Sequence, residues 1–258
     1  MNYDDFDPKD LEPFKDLIND LGHPSATAIG KALGGLFSGA LYYPIKLGIY
    51  TQYKLDEYQK KVTTKLNEIP DENKDASKLG LVMKEIEDSK YQLDSETLQE
   101  MFARLVSATV DNRKNQNISP RYSLILSQLG PIDARFLNQL AKNNYNGVLP
   151  CFRIFSKDKD NGSKRPVSSK FIGLNFKMDP HFSNDASLDI LISLGLVTYH
   201  EDAWLTADIA TRFYESVEKS TQFIDTKKQH ENEKNEIILD KNYLEFTKFG
   251  EQFIRVVC

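Results

Sequence analysis

LQEMFARLVSATVDNRKNQNISPRYSLILSQLGPIDARF, residues 98–136, is the most strongly patterned stretch of the chain. In its first part, mostly apolar side chains recur at the i, i+3, i+4, i+7 spacing that places them on one face of a helix. They are Leu98, Met101, Phe102, Leu105, Val106 and Thr109. Thr97 and Glu100 fit a capping box, and Asp94, Ser95 and Glu96 place capping residues and acidic charge where a helix begins. Polar residues at 111–117 then interrupt the pattern.

A second helix is predicted from Ser119, with Pro120 at a position that tolerates a missing N–H and with Gly130-Pro131 ending it. Its inward residues are Tyr122, Ile125, Leu126 and Leu129. Similar spacing predicts three more helices, at Ile45–Glu68, Lys78–Asp88 and Pro131–Asn143. Helices of this kind bury their apolar stripes against one another, so the first half of the chain is predicted to be a helical bundle.

The order of residues in the first helix also resembles the Abi-alpha (abortive infection alpha) family. Residues 98–108 followed by Asp111 are similar to the family's core L-x-E-M-F-A-x-L-L-A-S-x-M-D. Residues 119–134 resemble the segment H-P-x-F-x-x-I-I-x-Q-L-S-P-L-D-A that follows this core. The motif residues are Leu98, Glu100, Met101, Phe102, Leu105, Asp111, Pro120, Pro131 and Asp133.

Two positions depart from the family pattern, since Ser119 stands where His is frequent and Gly130 where Ser is frequent. A weaker match covers Leu66–Glu87, where residues 69–73, IPDEN, resemble I-P-E-E-N. The resemblance implies participation in bacterial defence against phage. The family has no established catalytic residues, so the resemblance assigns none, and we interpret the motif as structural.

Composition describes a folded protein of moderate size. The chain has 258 residues, of which 40% are hydrophobic and 28% charged, and a formal net charge of −5. Such a charge argues against broad non-specific binding to nucleic acid, which depends on neutralising phosphates. The two cysteines, Cys151 and Cys258, fit a reducing cytoplasm and have no metal-binding or redox spacing. Aspartates at the N-terminus occupy positions where a signal peptide needs basic residues, so we expect no secretion.

The second half of the chain changes its hydrophobic period, which predicts a mixed module. Strands are expected at Gly147–Phe155 and Lys170–Phe176, and a helix is expected at Ser187–Leu194. A β-hairpin is predicted from Leu196–Tyr199 and Ala203–Thr206. Tyr243–Phe246 is predicted as a strand that leads into a last helix.

The predicted fold is therefore mainly α, with an N-terminal helical bundle followed by a winged-helix-like α+β C-terminal module. We divide the chain into an acidic N-terminal arm (1–24), the bundle with the family motif (25–130) and the module (131–258). Within the module, 156–169 and 209–237 are predicted to be loop insertions, the first a mobile loop because it is polar and rich in turn residues.

A glycine-rich helix predicted at 25–43 has two interpretations. Ala32–Ile45 contains no charged residue, yet it is shorter than the roughly 20 residues that a membrane-spanning helix needs. Its apolar stripe consists of Ile29, Leu33, Leu36, Phe37 and Leu41. It is either a buried bundle helix or a conditionally exposed face that binds a partner or a membrane surface, because both give the same pattern.

No sequence motif assigns a catalytic, cofactor-binding or metal-binding residue. None of the four histidines has a second ligand at metal spacing, and Gly30-x-x-x-Gly34-Gly35 is not followed by the Lys-Ser/Thr of a phosphate loop. The basic cluster at 157–170 is either a solvated loop or a contact for an acidic partner or nucleic acid. In the candidate recognition helix, Asp185 and Asp189 would repel DNA, so we expect no nucleic-acid binding through it.

These observations predict a non-enzymatic effector or sensor-effector against phage that acts through protein or membrane contacts. The alternative is an adaptor or regulator that binds a phage or host protein, or nucleic acid, through the C-terminal module. A nuclease or another hydrolase without a visible motif is the third hypothesis. We expect a protein partner or self-association, no cofactor, and a cytoplasmic location with a peripheral position at the inner membrane face as an option.

Overall fold

The computed structural model of the chain describes residues 34–35, 37, 39–41, 46–177 and 182–258. The chain divides into two compact units. Unit 1 contains the described residues up to Ala134 together with Arg255–Cys258, and unit 2 contains those of Arg135–Ile254. Most of the secondary structure is helical, so the predicted mainly α fold is confirmed.

Unit 1 is built from helices that pack around one central helix. In chain order they are α1 (Gln52–Asn67), α2 (Leu79–Ser89), α3 (Glu96–Val110), α4 (Arg121–Gln128) and the first turn of α5 (Pro131–Asn143). The described residues from 34 to 41 are helical as well. Helix α3 contacts α1, α2 and α4, and it is therefore the centre of the unit.

Helix α3 confirms the pattern that predicted it. All six residues of its predicted inner face are buried, and Phe102 and Leu105 have no exposed surface. Ser95, one of the predicted capping residues, caps the helix, whereas the predicted capping box of Thr97 and Glu100 does not form its start. The Ser95 hydroxyl accepts a hydrogen bond from the Leu98 N–H at 3.3 Å, so the helix begins at Glu96.

Helix α1 begins later than predicted. The sequence placed its start at Ile45, but the chain turns at residues 47–50 and α1 starts at Gln52. Gly48 has a φ of +70°, a left-handed conformation that glycine adopts without strain. Thr51 then caps the helix, because its side chain accepts a hydrogen bond from the Lys54 N–H at 3.4 Å.

Unit 2 contains a five-stranded antiparallel sheet. Its strands are β1 (Val148–Asp158), β2 (Lys164–Pro166), β3 (Phe171–Ile172), β4 (Val197–His200) and β5 (Asn235–Phe246). The strand order is β2-β1-β5-β4, and β3 also pairs with β1. Strands β1 and β5 pair along their whole length, from Val148 opposite Glu245 to Asp158 opposite Asn235.

Four further helices begin in unit 2: α6 (Asp185–Ser193), α7 (Asp208–Glu218), α8 (Thr221–His230) and α9 (Lys248–Val257). Aromatic residues of α7 and the sheet form a core, in which the Phe152 and Phe171 rings stack at 5.0 Å. Helix α9 approaches the chain before β4 so closely that a Cβ on Gly250 would lie 1.9 Å from the Leu196 carbonyl oxygen. Only glycine fits there.

Two predicted loop insertions contain regular structure. Residues 156–169 were expected to form a mobile loop, but β1 continues to Asp158 and returns as β2. Their side chains are polar because they are exposed, while the backbone still pairs. Residues 209–237 contain most of α7, all of α8 and the start of β5.

The predicted hairpin around His200 is also wrong. Residues 203–206 are not a strand, and β4 instead pairs with β5, with Val197 opposite Phe246. The long strand β5 provides hydrogen-bonding partners for both β1 and β4, and local sequence gives no sign of a pairing partner so far along the chain. The predicted strand Lys170–Phe176 shortens to Phe171–Ile172. A winged helix is not confirmed.

Candidate functional site

The family motif lies at the centre of unit 1, where most of its side chains pack. Leu98, Met101, Phe102 and Leu105 are all buried on α3. Glu100 lies on the opposite side and accepts hydrogen bonds from Lys65 at 2.7 Å and Arg104 at 3.0 Å. Partial burial opposes ionisation of Glu100, but these two cations together hold its pKa below the ordinary value. The motif therefore joins α3 to α1.

Asp111 ends α3 and anchors the loop that follows. Its side chain is almost fully buried, and the Arg113 guanidinium donates to its two carboxylate oxygens at 2.8 and 2.7 Å. These hydrogen bonds lower the pKa of Asp111. The Asp75 N–H donates to the Val110 carbonyl at 2.8 Å, and the Asn112 N–H donates to the Asn73 carbonyl at 2.9 Å. The two family segments, residues 69–73 and 98–111, are thus joined through their backbones.

Side chains reinforce this connection between the loops before α2 and after α3. The buried Asn115 amide donates to Asp75 at 2.7 Å, and Lys78 donates to the Asn115 carbonyl. Asn73 donates to Asn112 at 3.1 Å. Because these polar groups bond to one another, the arrangement supports the bundle. We call it the loop brace, defined as residues 71–78 and 111–117.

The remaining motif residues lie at helix ends. Pro120 is the residue before α4, and Pro131 is the first residue of α5. The Asp133 carboxylate accepts a hydrogen bond from the Gly130 N–H at 2.9 Å, which satisfies a donor at the start of α5.

Sequence reasoning missed the most perturbed acid of unit 1. Glu85 on α2 is only 1% exposed, and one of its carboxylate oxygens accepts a hydrogen bond from the Thr109 hydroxyl at 2.7 Å. The other oxygen has no hydrogen-bond partner among the described residues. Burial raises the pKa of Glu85 to about 8, against the opposing effect of the Thr109 hydrogen bond and the Lys84 charge. The Asp88 charge adds to the rise.

A buried tyrosine lies close to Glu85. Tyr58 on α1 is fully buried, and burial raises the pKa of its hydroxyl. The neighbouring Glu85 charge adds to this rise, and Ser89 opposes it. The edge of the Phe37 ring packs on the Tyr58 ring, with centroids 5.4 Å apart. Polar and aromatic groups thus share the interior of unit 1. Nothing in the sequence indicated that Glu85, which lies between Val82 and Ile86, would be buried.

The glycine-rich stripe is described only in part. Phe37 and Leu41 are buried in unit 1, so these two side chains do not form an open face. Ile29, Leu33 and Leu36 lie outside the described residues.

Large apolar side chains are exposed immediately after this segment. Leu47 is 63% exposed, Ile49 is 49% exposed and Tyr53 is 72% exposed. Tyr50 between them is buried, and its hydroxyl lies near Leu93, Asp94 and Tyr91. Tyr91 is itself 64% exposed. We call Leu47, Ile49, Tyr53 and Tyr91 the apolar surface.

Unit 2 contains a shallow pocket of about 480 Å³ between β4 and α6. It is lined by Lys170, Ile192, Tyr199, His200, Glu201, Asp202 and Ala203. The Tyr199 hydroxyl donates to Asn242 at 3.0 Å, and the His200 ring stacks on Tyr243. Burial raises the pKa of the Tyr199 hydroxyl, so it stays protonated and binds Asn242 as a donor. The pocket lining therefore combines two acidic residues, Glu201 and Asp202, with Lys170.

The basic cluster at 157–170 is largely matched by carboxylates. Lys157 lies 2.9 Å from Glu236, Lys164 lies 3.4 Å from Asp240, and Lys170 lies 3.7 Å from Asp189.

Among the residues that the structure describes, no three His, Cys, Asp or Glu side chains group as metal ligands. In the same part of the chain, no helix combines the length and apolar character needed to cross a bilayer. Cys151 is buried in the sheet, and burial raises its thiol pKa.

The fold and motif define a mainly helical protein built around one signature helix. The family described as abortive infection alpha matches residues 50–257. The chain belongs to this family, and membership implies a role in bacterial abortive infection.

A solved structure is also similar to this chain. It is an uncharacterised protein from the hydrocarbon-degrading marine bacterium Alcanivorax borkumensis SK2, with 16% identity over 52% of this chain and 90% of that chain. The TM-score is 0.31, and the likeness carries no argument about fold or function. No curated protein matches the chain significantly.

Proposed function

We propose that the protein is an abortive-infection effector or sensor-effector that acts through protein or membrane contacts and not through catalysis. The observation that carries this proposal is the apolar surface, with Leu47 and Tyr53 largely exposed. Leu47, Ile49 and Tyr53 lie within one stretch of seven residues, and exposed apolar side chains grouped in this way mark places where a partner or membrane binds. The family supplies the biological setting, which is defence against phage.

The family motif supports the same proposal because its residues have a structural role. Its apolar residues fill the interior of unit 1, and Asp111 and Asp133 hydrogen-bond to neighbouring loops. The motif therefore stabilises a scaffold, and the scaffold presents the apolar surface. In this view a motif variant loses activity because the bundle unfolds.

An adaptor that binds through unit 2 is the second candidate. Trp204 is 56% exposed and follows Ala203 at the edge of the pocket. Exposed tryptophans beside a pocket are frequent centres of protein interfaces. The position of β5 between β1 and β4 supports a winged-helix-like arrangement for this unit, which remains a proposal. The acidic residues Asp185 and Asp189 on α6 favour a protein partner over DNA.

Controlled expression in a bacterial host tests the proposed function. We expect high-level expression to slow growth, or moderate expression to reduce plaque counts for at least some phages in a broad panel. Trp204→Ala tests the adaptor alternative, because it removes an exposed side chain without disturbing the core. Normal growth at high expression together with unchanged plaque counts across the panel would contradict the proposal.

A further inference from the structure

We propose that the apolar surface of unit 1 binds the surface of a lipid bilayer that contains anionic headgroups. This inference rests on the proposed function and names its partner. Leu47 and Ile49 would enter the outer acyl region, and Tyr53 and Tyr91 would lie at the level of the headgroups. Neither the family motif nor the pocket of unit 2 takes part.

The local backbone explains why the two aliphatic side chains point away from the core. Gly48 between them adopts a φ of +70°, and residues 47–50 turn before α1 begins. Tyr50 is buried on the same segment and attaches it to unit 1. The turn is therefore anchored, and Leu47 and Ile49 remain exposed on both sides of its glycine.

Lysines surround the apolar surface. Lys46 is exposed next to Leu47, and the Lys90 ammonium lies 5.2 Å from the centre of the Tyr91 ring. Lys54 follows Tyr53 on α1. Lys54 and Lys90 pair with Glu57 at 3.5 Å and Glu87 at 3.6 Å, and such exposed pairs exchange partners easily. Flexible lysines can extend from this position to lipid phosphates.

The composition of the apolar surface favours a membrane over a protein partner. Tyrosine with flanking lysine is typical of membrane–water interfaces. Tyrosine, tryptophan and arginine are all enriched at the centres of protein interfaces, but lysine is depleted there, so the neighbouring lysines distinguish the two kinds of partner. Three lysines, Lys46, Lys54 and Lys90, adjoin the apolar surface along the chain. The carboxylates Glu57, Glu87 and Asp94 also lie nearby, so headgroup binding requires Lys54 and Lys90 to leave their glutamate partners. Its sequence also continues directly from Ala32–Ile45, which has no charge and is too short to span a bilayer.

Flotation with vesicles of defined composition tests this inference on the full chain. The probes are vesicles of phosphatidylcholine alone and of phosphatidylcholine with phosphatidylglycerol. We expect the wild type to float with the anionic vesicles, and added salt to weaken this binding because headgroup attraction is screened. The double variant Leu47→Asp/Ile49→Asp should bind at least tenfold more weakly, since it places two negative charges in the inserted turn.

A matched control separates loss of the surface from loss of the fold. Met83 on α2 and Leu124 on α4 are 49% and 47% exposed, so Met83→Asp/Leu124→Asp adds the same charge to unit 1 elsewhere. Both double variants should retain the helical circular dichroism of the wild type, because none of the four positions is buried. Only Leu47→Asp/Ile49→Asp should lose flotation.

Three results would overturn the inference. The first is a wild type that floats with neither vesicle, and the second is an equal loss of flotation in both double variants. The third is a wild-type dimer in light scattering that Leu47→Asp/Ile49→Asp converts to a monomer, since a second copy would then cover the surface. If plaque protection persists in any of these cases, the inference fails while the proposed function stands.

Discussion

At the scale of single residues, Glu85 is the feature of unit 1 with the largest energetic consequence. A carboxyl group that is almost fully buried, with one oxygen lacking a hydrogen-bond partner among the described residues, is held in its neutral form at neutral pH. Its hydrogen bond from Thr109 and the neighbouring Tyr58 and Ser89 give the interior polar character. Such a group lowers the stability of the folded state at any pH where the carboxyl group would be ionised in the unfolded chain.

The pH dependence of stability follows from this burial. The pKa of Glu85 is about 8 in the folded protein against 4.5 as its ordinary value, so the folded state binds the proton more tightly. Stability is therefore highest below about pH 4.5 with respect to this group, and it falls as the pH rises towards 8. At about 1.4 kcal/mol for each pH unit between the two values, the loss has an upper limit of roughly 5 kcal/mol.

Glu85→Gln should remove this pH dependence. We predict that the variant has a higher free energy of unfolding than the wild type at pH 8, and that the difference shrinks as the pH falls towards 5. Urea unfolding at several pH values measures it. Glu87→Gln is the control, because Glu87 lies on the same helix with its side chain 57% exposed and should change little. Parallel pH profiles for Glu85→Gln and the wild type would contradict the assignment.

At the scale of elements, α3 organises unit 1. It touches α1, α2 and α4, and the loop brace fixes its C-terminal end against the segment before α2. The fully buried Phe102 lies on the inner face of this helix. Two of the sequence segments that resemble the family are therefore the central helix and the loop that its end binds.

Phe102→Ala tests whether the motif is structural. Emptying a buried aromatic site should lower the free energy of unfolding by about 3–5 kcal/mol. Thermal unfolding followed by circular dichroism measures the change, and Leu124→Ala on the exposed side of α4 is the control. If Phe102→Ala instead abolished phage protection with an unchanged melting temperature, the motif would be an interaction surface.

Sequence periodicity predicted the helices of unit 1 well because their burial depends on residues three and four positions apart. The burial of Leu98, Phe102 and Leu105 could be predicted from local spacing alone, without reference to distant residues. The pairing of β4 with β5 could not be predicted in this way, since Glu245 lies 47 positions after its partner Thr198. The exposed hairpin β1–β2 was missed because its charged side chains resemble those of a loop while its backbone forms the pairs.

The candidate sites were predictable to a smaller extent. The motif positions followed from the family resemblance. Glu85 could not be predicted because a glutamate on a helix is normally exposed, and only the packed bundle shows that this one is inside. Leu47 and Tyr53 were placed on a continuous helix, and the turn at Gly48 that exposes Leu47 became visible only in the structure.

At the scale of the whole molecule, the scaffold and the contact surface are formed by different residues. Unit 1 has its interior filled by motif residues and presents the apolar surface outside. Unit 2 has its own sheet, core and shallow pocket. We propose that phage protection depends on the apolar surface of an intact scaffold.

The most direct test is the efficiency of phage plating on cells that express Leu47→Asp/Ile49→Asp, at protein levels matched to the wild type. The account predicts that protection falls to the level of cells without the protein, while Met83→Asp/Leu124→Asp protects as the wild type does. Full protection by Leu47→Asp/Ile49→Asp would contradict the central claim, because the protein would then act without its apolar surface.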